Sequence, residues 1–567
     1  MGFAFWFLLL ALYPLPGPQR EAATHQSLFQ KGNHSGLERF RLLSGDERKR
    51  YIIEANSAGV CAFDYDNDGR VDVYLVNGGD LESFKKSTPS KLRNALFRNL
   101  GKRRFAEVTK LAGVGGRGQW GMGCSVADYD NDGWLDLYVT NYGDNLLYRN
   151  RGDGTFEEVA GPAGANDARW STGSAWADFD VDGDLDLFVA NYIGLDPANL
   201  PEPGSPRYGS MGGPGLGCQY LGLPVMCGPR GLKGAGDSLF VNQGNGTFEE
   251  AAARVGVQDG SGHYGLGAIW SDLDGNGLPD LYVANDSTPN YLYRNLGNGR
   301  LEEIGLLSGL SVSSQGLEQA GMGVAAADYL NQGRFSLYVT NFSEEYNTLY
   351  RNDGDFNFTD ITVRSGLDRP SLPYVGWGAL FLDYDNDGWE DLFVANGHVF
   401  PNVDQVKNPF VAPYRQRNLL FRNLGNGRFQ EVGEDAGLGS PLVSRGAACA
   451  DFDNDGGLDV IVNNLGSTPT LLWNQRLAIG HFLRLQLIGT VSNRFAVGAG
   501  VRLRTGTQWQ SREVRSGGSY LSQSDLRVHF GLGRADRAAE VEIRWPSGKV
   551  TALKDVAADQ TLTVRER

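Results

Sequence analysis

Short apolar segments with alternating small or polar positions recur along most of this chain. Leu137–Asn141, Leu187–Asn191 and Leu392–Asn396 each alternate in this way and end at Asn, which is typical of a half-buried β-strand. A second recurring segment, seen at Leu147–Asn150 and Leu420–Asn423, follows after a turn. Helical periodicity is scarce, and 78 glycines provide many tight turns. The pattern predicts an all-β fold.

These strands belong to a repeat unit that contains four of them. A strand of small residues, such as Gly121–Gly123, precedes an Asp-rich loop, and the alternating strand follows it. A third strand then leads through a Gly-rich turn to a fourth, such as Thr155–Val159. Seven units occur, most starting 50 to 70 residues apart, which is typical of the blades of a β-propeller. We predict a seven-bladed ring, with a linear solenoid as the alternative.

The two ends of the repeat array are predicted to meet. The last unit stops at Asn474 without a fourth strand of its own. Ser35–Phe40 near the N-terminus is predicted to supply that strand and close the ring. Residues 476–567 contain further alternating segments, such as His481–Ile488 and Ala539–Arg544, and predict a small β-sandwich or barrel that folds separately and packs against the ring.

Six units carry an acidic loop with side-chain oxygens at positions 1, 3, 5 and 9 and Gly at position 6. Ca²⁺ prefers six to eight oxygen ligands, and such a tight turn directs several of them inward. The predicted ligands are Asp64, Asp66, Asp68 and Asp72; Asp128, Asp130, Asp132 and Asp136; Asp178, Asp180, Asp182 and Asp186; Asp272, Asp274, Asn276 and Asp280; Asp383, Asp385, Asp387 and Asp391; and Asp451, Asp453, Asp455 and Asp459.

An EF-hand and a metal-free turn are the alternatives for these loops. An EF-hand requires Glu at position 12 and flanking helices, but position 12 of the first loop is Leu75, inside a predicted strand. A metal-free turn is common for a single copy, but six copies with at least three carboxylates each would repel themselves without a cation. The sequence therefore predicts six calcium sites.

The fifth unit is the exception. Asp328 remains, but Leu330, Gln332 and Ser336 replace the other three ligands, so this loop is predicted to hold no calcium. Asn276 in the fourth loop can still offer an amide oxygen, so that site is expected to bind, more weakly.

The overall charge of −15 argues against a nucleic-acid partner, which requires a concentrated basic face. Six divalent cations would bring the charge to −3, so the acidity is consistent with metal sites. An apolar run near the start, within residues 1–24, has the length of a signal peptide but is not preceded by Lys or Arg. We expect a secreted or periplasmic protein without a membrane span in its mature part; an uncleaved N-terminal anchor is the alternative.

The repeats resemble FG-GAP/VCBS repeats of integrin α-subunit heads. In the C-terminal segment, Gly498–Arg502, Arg515–Ser524, His529–Gly533 and Trp545–Lys549 resemble the ASPIC/UnbV domain. This combination resembles the cartilage acidic protein 1 family, which implies an extracellular calcium-binding protein and no defined common activity. The predicted domains are a signal peptide at 1–24, a propeller at 25–475 with a Gly/Pro-rich insert at 193–236, and an ASPIC/UnbV domain at 476–567.

The five cysteines fall into two groups. Cys218 and Cys227 lie close together in the irregular insert and are predicted to form a disulfide in an oxidising compartment. Cys61, Cys124 and Cys449 each precede an Asp-rich loop and are predicted to be small buried thiols of inner strands.

The favoured function is a binding protein in which calcium stabilises the blade loops and one face of the ring presents a surface to a protein or glycan. The alternative is a propeller enzyme, such as a hydrolase or cyclase, with structural calcium. No nucleophile with a suitably spaced His is apparent. His398, near Asp404, is the best candidate for chemistry, although packing in a loop is favoured for it. Carboxylates left free after metal binding would favour the enzyme.

Overall fold

The structure is a computed structural model that describes residues 27–204, 217–408, 410–476 and 480–567. The predicted signal peptide and residues 205–216 of the predicted insert lie outside these ranges. The described residues form seven four-stranded sheets arranged as blades, two further sheets near the C-terminus and one small hairpin. The prediction of an all-β, seven-bladed propeller followed by a small β-sandwich is confirmed.

The first four blades follow each other in chain order, and within each blade neighbouring strands are antiparallel. A first strand, β1, precedes them at Phe29–Lys31. The blade strands are Val60–Phe63 (β2), Asp72–Leu75 (β3), Ala95–Asn99 (β4) and Phe105–Glu107 (β5); Trp120–Ala127 (β6), Asp136–Tyr142 (β7), Leu146–Asn150 (β8) and Phe156–Glu158 (β9); Ser171–Ala177 (β10) and Asp186–Asn191 (β11), then, after the insert hairpin Gln219–Tyr220 (β12) and Leu223–Pro224 (β13), Ser238–Asn242 (β14) and Phe248–Glu250 (β15); and Gly265–Ser271 (β16), Asp280–Asn285 (β17), Tyr291–Asn295 (β18) and Leu301–Glu303 (β19).

The remaining three blades complete the ring. Their strands are Val324–Ala327 (β20), Ser336–Val339 (β21), Thr348–Gly354 (β22) and Asn357–Asp360 (β23); Gly376–Leu382 (β24), Asp391–Asn396 (β25), Leu419–Asn423 (β26) and Phe429–Glu431 (β27); and Ser444–Ala450 (β28), Asp459–Asn464 (β29) and Thr470–Asn474 (β30). Helices are short, at Leu81–Lys85, Thr109–Ala112, Ala160–Ala163, Ala252–Val255, Gly305–Ser308, Thr362–Ser365 and Asp368–Ser371, with 3-10 turns at Leu37–Arg39, Ile52–Ala55 and Pro401–Gln405.

The ring closes through β1, which pairs antiparallel with β30 so that Phe29 faces Asn474. The predicted closing strand at Ser35–Phe40 is wrong. Gly36 has a φ of 102°, which interrupts an extended strand, and a 3-10 turn follows it. The apolar side chains of that segment, Leu37 and Phe40, are buried with the core of the first and last blades, so a buried apolar pattern was mistaken for a strand.

The small residues before the Asp-rich loops allow the inner strands to approach one another. A Cβ atom at Gly323 would lie 2.0 Å from the carbonyl oxygen of Trp377 in the next blade. At Gly267 it would lie 2.4 Å from the carbonyl oxygen of Met322. Both distances are below any van der Waals contact, so glycine is required where adjacent blades meet at the axis.

The C-terminal residues form two packed sheets. Their strands are His481–Ile488 (β31), Gly500–Thr505 (β32), Gln508–Glu513 (β33), Val528–Gly533 (β34), Arg537–Arg544 (β35), Val550–Ala557 (β36) and Gln560–Arg565 (β37). The orders are β33-β32-β35-β36 and β34-β31-β37, with β31 and β37 parallel. Leu483, Val501, Phe530 and Val541 are buried between them. The domain boundary near residue 475 and independent folding of the segment stay predictions.

The connection between β33 and β34, residues 514–527, enters the axis of the ring; we call it the axial loop. The Leu521 carbonyl accepts a hydrogen bond from Cys124 N at 3.1 Å, and Ser519 N donates to Val324 O at 2.7 Å. The Tyr520 ring packs edge-on against Trp377 with centroids 4.7 Å apart. The axial loop therefore contacts several blades at once and fills the space between their inner strands.

The ring has two unlike faces. The Asp-rich loops, which join first and second strands, lie on one face, which we call the Asp-loop face. The C-terminal sheets cover this face: Arg494 N donates to Asn131 in the second loop, and Arg544 donates to Gly275 O in the fourth at 3.1 Å. Connections between second and third strands lie on the opposite face, together with the insert.

Candidate metal centres

Position 1 of each loop builds the turn. Asp128 is buried, and its Oδ1 and Oδ2 accept hydrogen bonds from Asp132 N at 3.0 Å and Gly133 N at 2.8 Å. Asn131 and Gly133 have φ values of 57° and 94°, the left-handed region that Asn and Gly adopt most readily. The same pair of bonds recurs in every loop except the fourth, where Gly275 N donates in place of the position-5 amide.

Position 9 is the first residue of the second strand and is buried. Asp136 Oδ2 accepts a hydrogen bond from Tyr129 N at 3.1 Å, and its Oδ1 accepts one from Asn150 N at 2.7 Å. Asn150 is the residue that ends the third strand of the same blade. The recurring Asn of the third strand is thereby explained, since its backbone holds the position-9 carboxylate against the loop.

Position 3 supplies an oxygen that the protein itself leaves unsatisfied. In five loops the Oδ1 atom of this aspartate is buried and accepts no hydrogen bond from any described residue. These residues are Asp66, Asp130, Asp180, Asp385 and Asp453. A buried carboxylate oxygen without a partner costs free energy. Each of these five oxygens could act as a ligand for a cation.

Positions 1, 3 and 9 converge. Among the described residues, six groups of metal-ligating side chains have ligand atoms within 4.8 Å of one another. Five of these are Asp64, Asp66 and Asp72; Asp128, Asp130 and Asp136; Asp178, Asp180 and Asp186; Asp272, Asp274 and Asp280; and Asp383, Asp385 and Asp391. Position 5 is absent from these five groups; in the second loop Asp132 Oδ1 instead accepts the N–H of Trp134 at 2.9 Å.

The seventh loop has the same hydrogen bonds. Asp451 accepts from Asp455 N and Gly456 N at 3.0 and 2.8 Å, and Asp459 accepts from Phe452 N at 3.1 Å. Oxygen-only ligand sets of this kind suit Ca²⁺. The residues fit the ion, with positions 1, 3 and 9 as carboxylate ligands; bound calcium would supply the charge that neutralises them.

Burial and the charges of neighbouring carboxylates raise the pKa values of aspartates in these loops. Burial raises the pKa of Asp128 to about 7, and the charges of Asp132 and Asp130 add to the shift. Burial also raises the pKa of Asp136 well above its usual range, with further contributions from Asp130 and Asp128. Arginines sit beside some position-3 residues, as Arg149 does with Asp130 at 2.7 Å. Each such arginine offsets the charge of the position-3 carboxylate but not the charges of the other carboxylates in its loop.

The fifth loop keeps the turn and lacks the ligands. Asp328 accepts hydrogen bonds from Gln332 N and Gly333 N at 2.8 and 2.7 Å, as in the other loops. Ser336 takes the place of the position-9 carboxylate and accepts from Asn352 N at 3.1 Å. Leu330 packs against the apolar core between the fifth and sixth blades. Only one carboxylate remains.

The C-terminal sheets contribute charged residues that sequence reasoning missed. Arg484 of β31 donates from Nη1 to Asp451 Oδ2 at 2.8 Å, and both side chains are almost fully buried. Its Nη2 donates to Asn454 Oδ1 at 2.7 Å. The available signal was an arginine flanked by leucines within His481–Ile488. Its partner in another domain could not be read from that stretch.

The cysteines differ in part from expectation. The structure joins Cys218 and Cys227 in a disulfide within the insert; its formation in the exported protein stays a prediction. Cys61 and Cys124 also form a disulfide, between β2 and β6, so their assignment as free thiols is wrong. The two lie on adjacent inner strands with Cα atoms 6.1 Å apart. Cys449 is a free thiol whose backbone N–H donates to Ser524 Oγ at 3.0 Å.

His398 has a packing role. It is fully buried, and its Nδ1 accepts a hydrogen bond from Phe400 N at 3.1 Å. Burial lowers its pKa to about 3, and the nearby Arg445 charge adds to the shift. Asp404, its neighbour along the chain, is exposed and accepts from Tyr414 N instead. A neutral imidazole held in this way orders the loop after β25.

The repeats and the C-terminal segment match known families. A model of the FG-GAP-like repeat matches residues 64–139, 128–189, 272–339, 328–394 and 410–462, together more than half of the chain. The chain belongs to the FG-GAP-like repeat family. A second model, ASPIC and UnbV, matches residues 489–567. The acidic loops described above are thus the loops of FG-GAP-like repeats.

Cartilage acidic protein 1 is similar over part of its length. The protein from Xenopus tropicalis is 27% identical over 310 residues, which is 53% of this chain and 44% of that protein. The Mus musculus protein is 27% identical over 326 residues, 56% of this chain and 47% of that protein. The match therefore spans less than half the length of these relatives.

Two solved structures are similar to the chain at low TM-scores. An Agrocybe aegerita lectin that recognises non-reducing terminal N-acetylglucosamine has a TM-score of 0.35 and 17% identity, covering 66% of this chain and 79% of the lectin. BBS1N in complex with ARL6DN has a TM-score of 0.42 and 10% identity, covering 80% and 99%. Among the described residues, no helix has the length and apolar character needed to cross a membrane.

Proposed function

We propose that this protein is an extracellular calcium-binding propeller that binds a protein or glycan through the face opposite its Asp-rich loops. The observation that carries the calcium part is the set of five buried position-3 oxygens without a partner among the described residues, each next to further carboxylates. Six loops are proposed to bind one Ca²⁺ each, and the fifth none. The ions would neutralise the loops and hold their backbones.

The ion count tests this proposal. Native mass spectrometry of the full chain in calcium should give six bound ions. The chelated protein should give none and should melt at a lower temperature. Seven ions, or a melting temperature that does not respond to chelation, would contradict the proposal. Magnesium is the matched control, since it prefers octahedral sites with retained waters.

The choice of face follows from what covers the ring. The C-terminal sheets occupy the Asp-loop face, and Arg484, Arg494 and Arg544 contact its loops. The opposite face carries the insert and exposes large apolar side chains: Phe410 is 69% exposed and Leu317 59%. The C-terminal sheets do not cover these side chains, so a partner can contact them. We therefore propose this face as the binding surface.

Binding arrays can test the surface. The full chain would be screened in saturating calcium against glycans and extracellular proteins. Any hit should be weakened by Phe410→Ser and Leu317→Ser. The matched control is Val550→Ser, which changes a side chain 60% exposed on β36 of the C-terminal sheets. Equal binding by all three variants would remove the opposite face from the proposal.

One observation favours the enzyme alternative. Asp286 and Glu345 are carboxylates outside the Asp-rich loops, and both line a cavity on the opposite face. Paired carboxylates can serve as acid and base. Among the described residues that line the cavity, however, none is a His or Lys, and its cysteine is in a disulfide. We therefore propose ligand binding and not catalysis for this cavity.

A further inference from the structure

A cavity of about 90 Å³ lies near the axis at the opposite face. Loops from several blades enclose it, and the tip of the axial loop lies below it, where Tyr520 meets Trp377. Residues 226–229 of the insert form one wall, and the disulfide at Cys227 anchors that wall. The cavity is large enough for several waters or for a ligand group of a few heavy atoms.

The walls are mainly aromatic and aliphatic. Tyr192, Phe342 and Phe400 contribute rings, and Met226 and Met322 contribute thioethers. Such surfaces bind apolar groups, and aromatic faces also attract cations. The apolar lining alone would not select between a neutral and a charged ligand, so the polar groups of the cavity determine which class of ligand binds.

Two carboxylates provide those polar groups. Asp286 accepts hydrogen bonds from Tyr192 OH at 2.5 Å and from Ser287 Oγ at 2.8 Å. Glu345 Oε2 accepts one from Ala320 N at 2.8 Å. These donors are neutral, so they do not cancel the negative charge of either carboxylate. Within the described ranges, neither carboxylate forms an ion pair with a basic side chain.

Arg230, whose charge acts on both carboxylates, forms its ion pair elsewhere. Arg230 lies 3.6 Å from Glu318 and donates to Ser287 O at 3.3 Å, and it does not line the cavity. Burial raises the pKa of Glu345 to about 7; Asp286 adds to this shift and Arg230 opposes it. Asp286 and Glu345 are each partly exposed, and partial desolvation of an unpaired carboxylate still costs free energy, which a cation in the cavity would offset.

We propose that this cavity binds an organic cation, an alkylammonium group whose apolar part contacts Phe342 and Phe400 and whose charge lies beside Glu345 and Asp286. The ammonium would donate to the carboxylate of Glu345. A free amine and a lysine side chain of a partner share this chemistry. The proposal does not depend on the calcium sites, because none of their ligands lines the cavity.

Calorimetry or ligand-observed NMR on the full chain in saturating calcium tests it. The probe is n-butylammonium, and 1-butanol is its neutral isostere. Because a charge-assisted hydrogen bond is worth about 1.5–3 kcal/mol, n-butylammonium should bind at least about tenfold more tightly than 1-butanol. Equal affinity for the two probes, or binding of neither, would overturn the proposal.

Two variants locate the site. Glu345→Gln keeps the shape of the side chain and should lower n-butylammonium affinity about tenfold without changing that for 1-butanol. The matched control is Glu344→Gln, the exposed neighbour outside the cavity, which should stay within about twofold of the original. Equal losses in both variants would refute the site. If Glu345→Gln does not fold, the two probes on the unmodified chain still decide.

A lysine-containing peptide and its acetyl-lysine form separate the two sources of the cation. Tighter binding of the lysine peptide than of n-butylammonium indicates a protein partner, and weaker binding indicates a free amine. Either result supports a cation site, provided that acetylation removes binding of the peptide. Retention of binding after acetylation would contradict it.

Discussion

The loop of the fifth blade and the loop of the sixth blade share a backbone and differ in their ligands. Asp328 and Asp383 each accept the amides of positions 5 and 6 at 2.7–3.0 Å. Asn331 and Asn386, at position 4, have φ values of 55° and 53°. The turn therefore depends on position 1 and on a left-handed residue, and it forms in both loops.

The other positions separate the two loops. Asp385 in the sixth loop has a buried Oδ1 without a partner among the described residues, whereas its counterpart Leu330 packs into the apolar core. Asp391 is replaced by Ser336, which retains the hydrogen bond to the third strand. Positions 3 and 9 are therefore the positions that distinguish the proposed metal site from the loop predicted to be empty, while position 1 forms the turn in both loops.

Removing calcium with a chelator should lower the stability more than any substitution below, and it should affect the sixth loop more than the fifth. A site whose Kd is ten times below the calcium concentration adds about 1.4 kcal/mol, so six sites add on the order of 8 kcal/mol. We expect the melting temperature to fall steeply when calcium is removed. Hydrogen exchange should increase in the sixth loop and change little in the fifth. Equal increases in both would contradict the comparison.

Removing position 9 should be the most damaging single substitution. Asp391→Ala leaves the buried N–H groups of Asn423 and Tyr384 without their acceptor, at about 1–3 kcal/mol each, and loses one ligand. Ser336→Ala leaves only Asn352 N without its acceptor and should lower the free energy of unfolding by about 1 kcal/mol. Thermal denaturation in calcium measures both. A larger loss for Ser336→Ala than for Asp391→Ala would contradict this assignment of roles to position 9.

Asp385→Leu would give the sixth loop the position-3 residue of the fifth. In calcium we expect one fewer ion and a loss of about 1.4 kcal/mol. In chelator we expect Asp385→Leu to stabilise the protein or to leave its stability unchanged. Burial raises the pKa of Asp385 to about 6, so its charge is unfavourable when no cation is bound. Melting curves under both conditions, with ion counts, check this. A loss of equal size in chelator would mean that Asp385 is structural.

Restoring the fifth loop should have the smallest effect. Leu330→Asp, Gln332→Asp and Ser336→Asp together supply the missing carboxylates on an existing turn. We expect a seventh ion by native mass spectrometry and a gain of about 1 kcal/mol or less in calcium. The triple variant should be less stable than the original in chelator, because it adds unneutralised charge. Six ions would show that the backbone match is insufficient.

The sequence was sufficient for features with local causes. The Asp-rich turns follow from hydrogen bonds within nine residues, and the blades follow from their repetition, so both could be predicted. Contacts between distant segments could not. Cys61 and Cys124 belong to separate blades, and the Arg484 partner Asp451 lies in another domain. The axial loop has no apolar periodicity that would place it in the ring. The closing strand was predicted at Ser35–Phe40 instead of at β1, because the apolar pattern of that neighbouring segment is more regular.

The pairing of β1 with β30 has a consequence for biosynthesis. Phe29 is translated long before Asn474, its partner. At about 5–20 residues per second, the interval is on the order of 20–90 seconds. During that time the blades exist as an open arc with an unpaired edge strand, a known target for aggregation and chaperones. Nascent chains arrested before residue 470 should therefore be cleaved by protease faster than chains released after the closing strand has emerged.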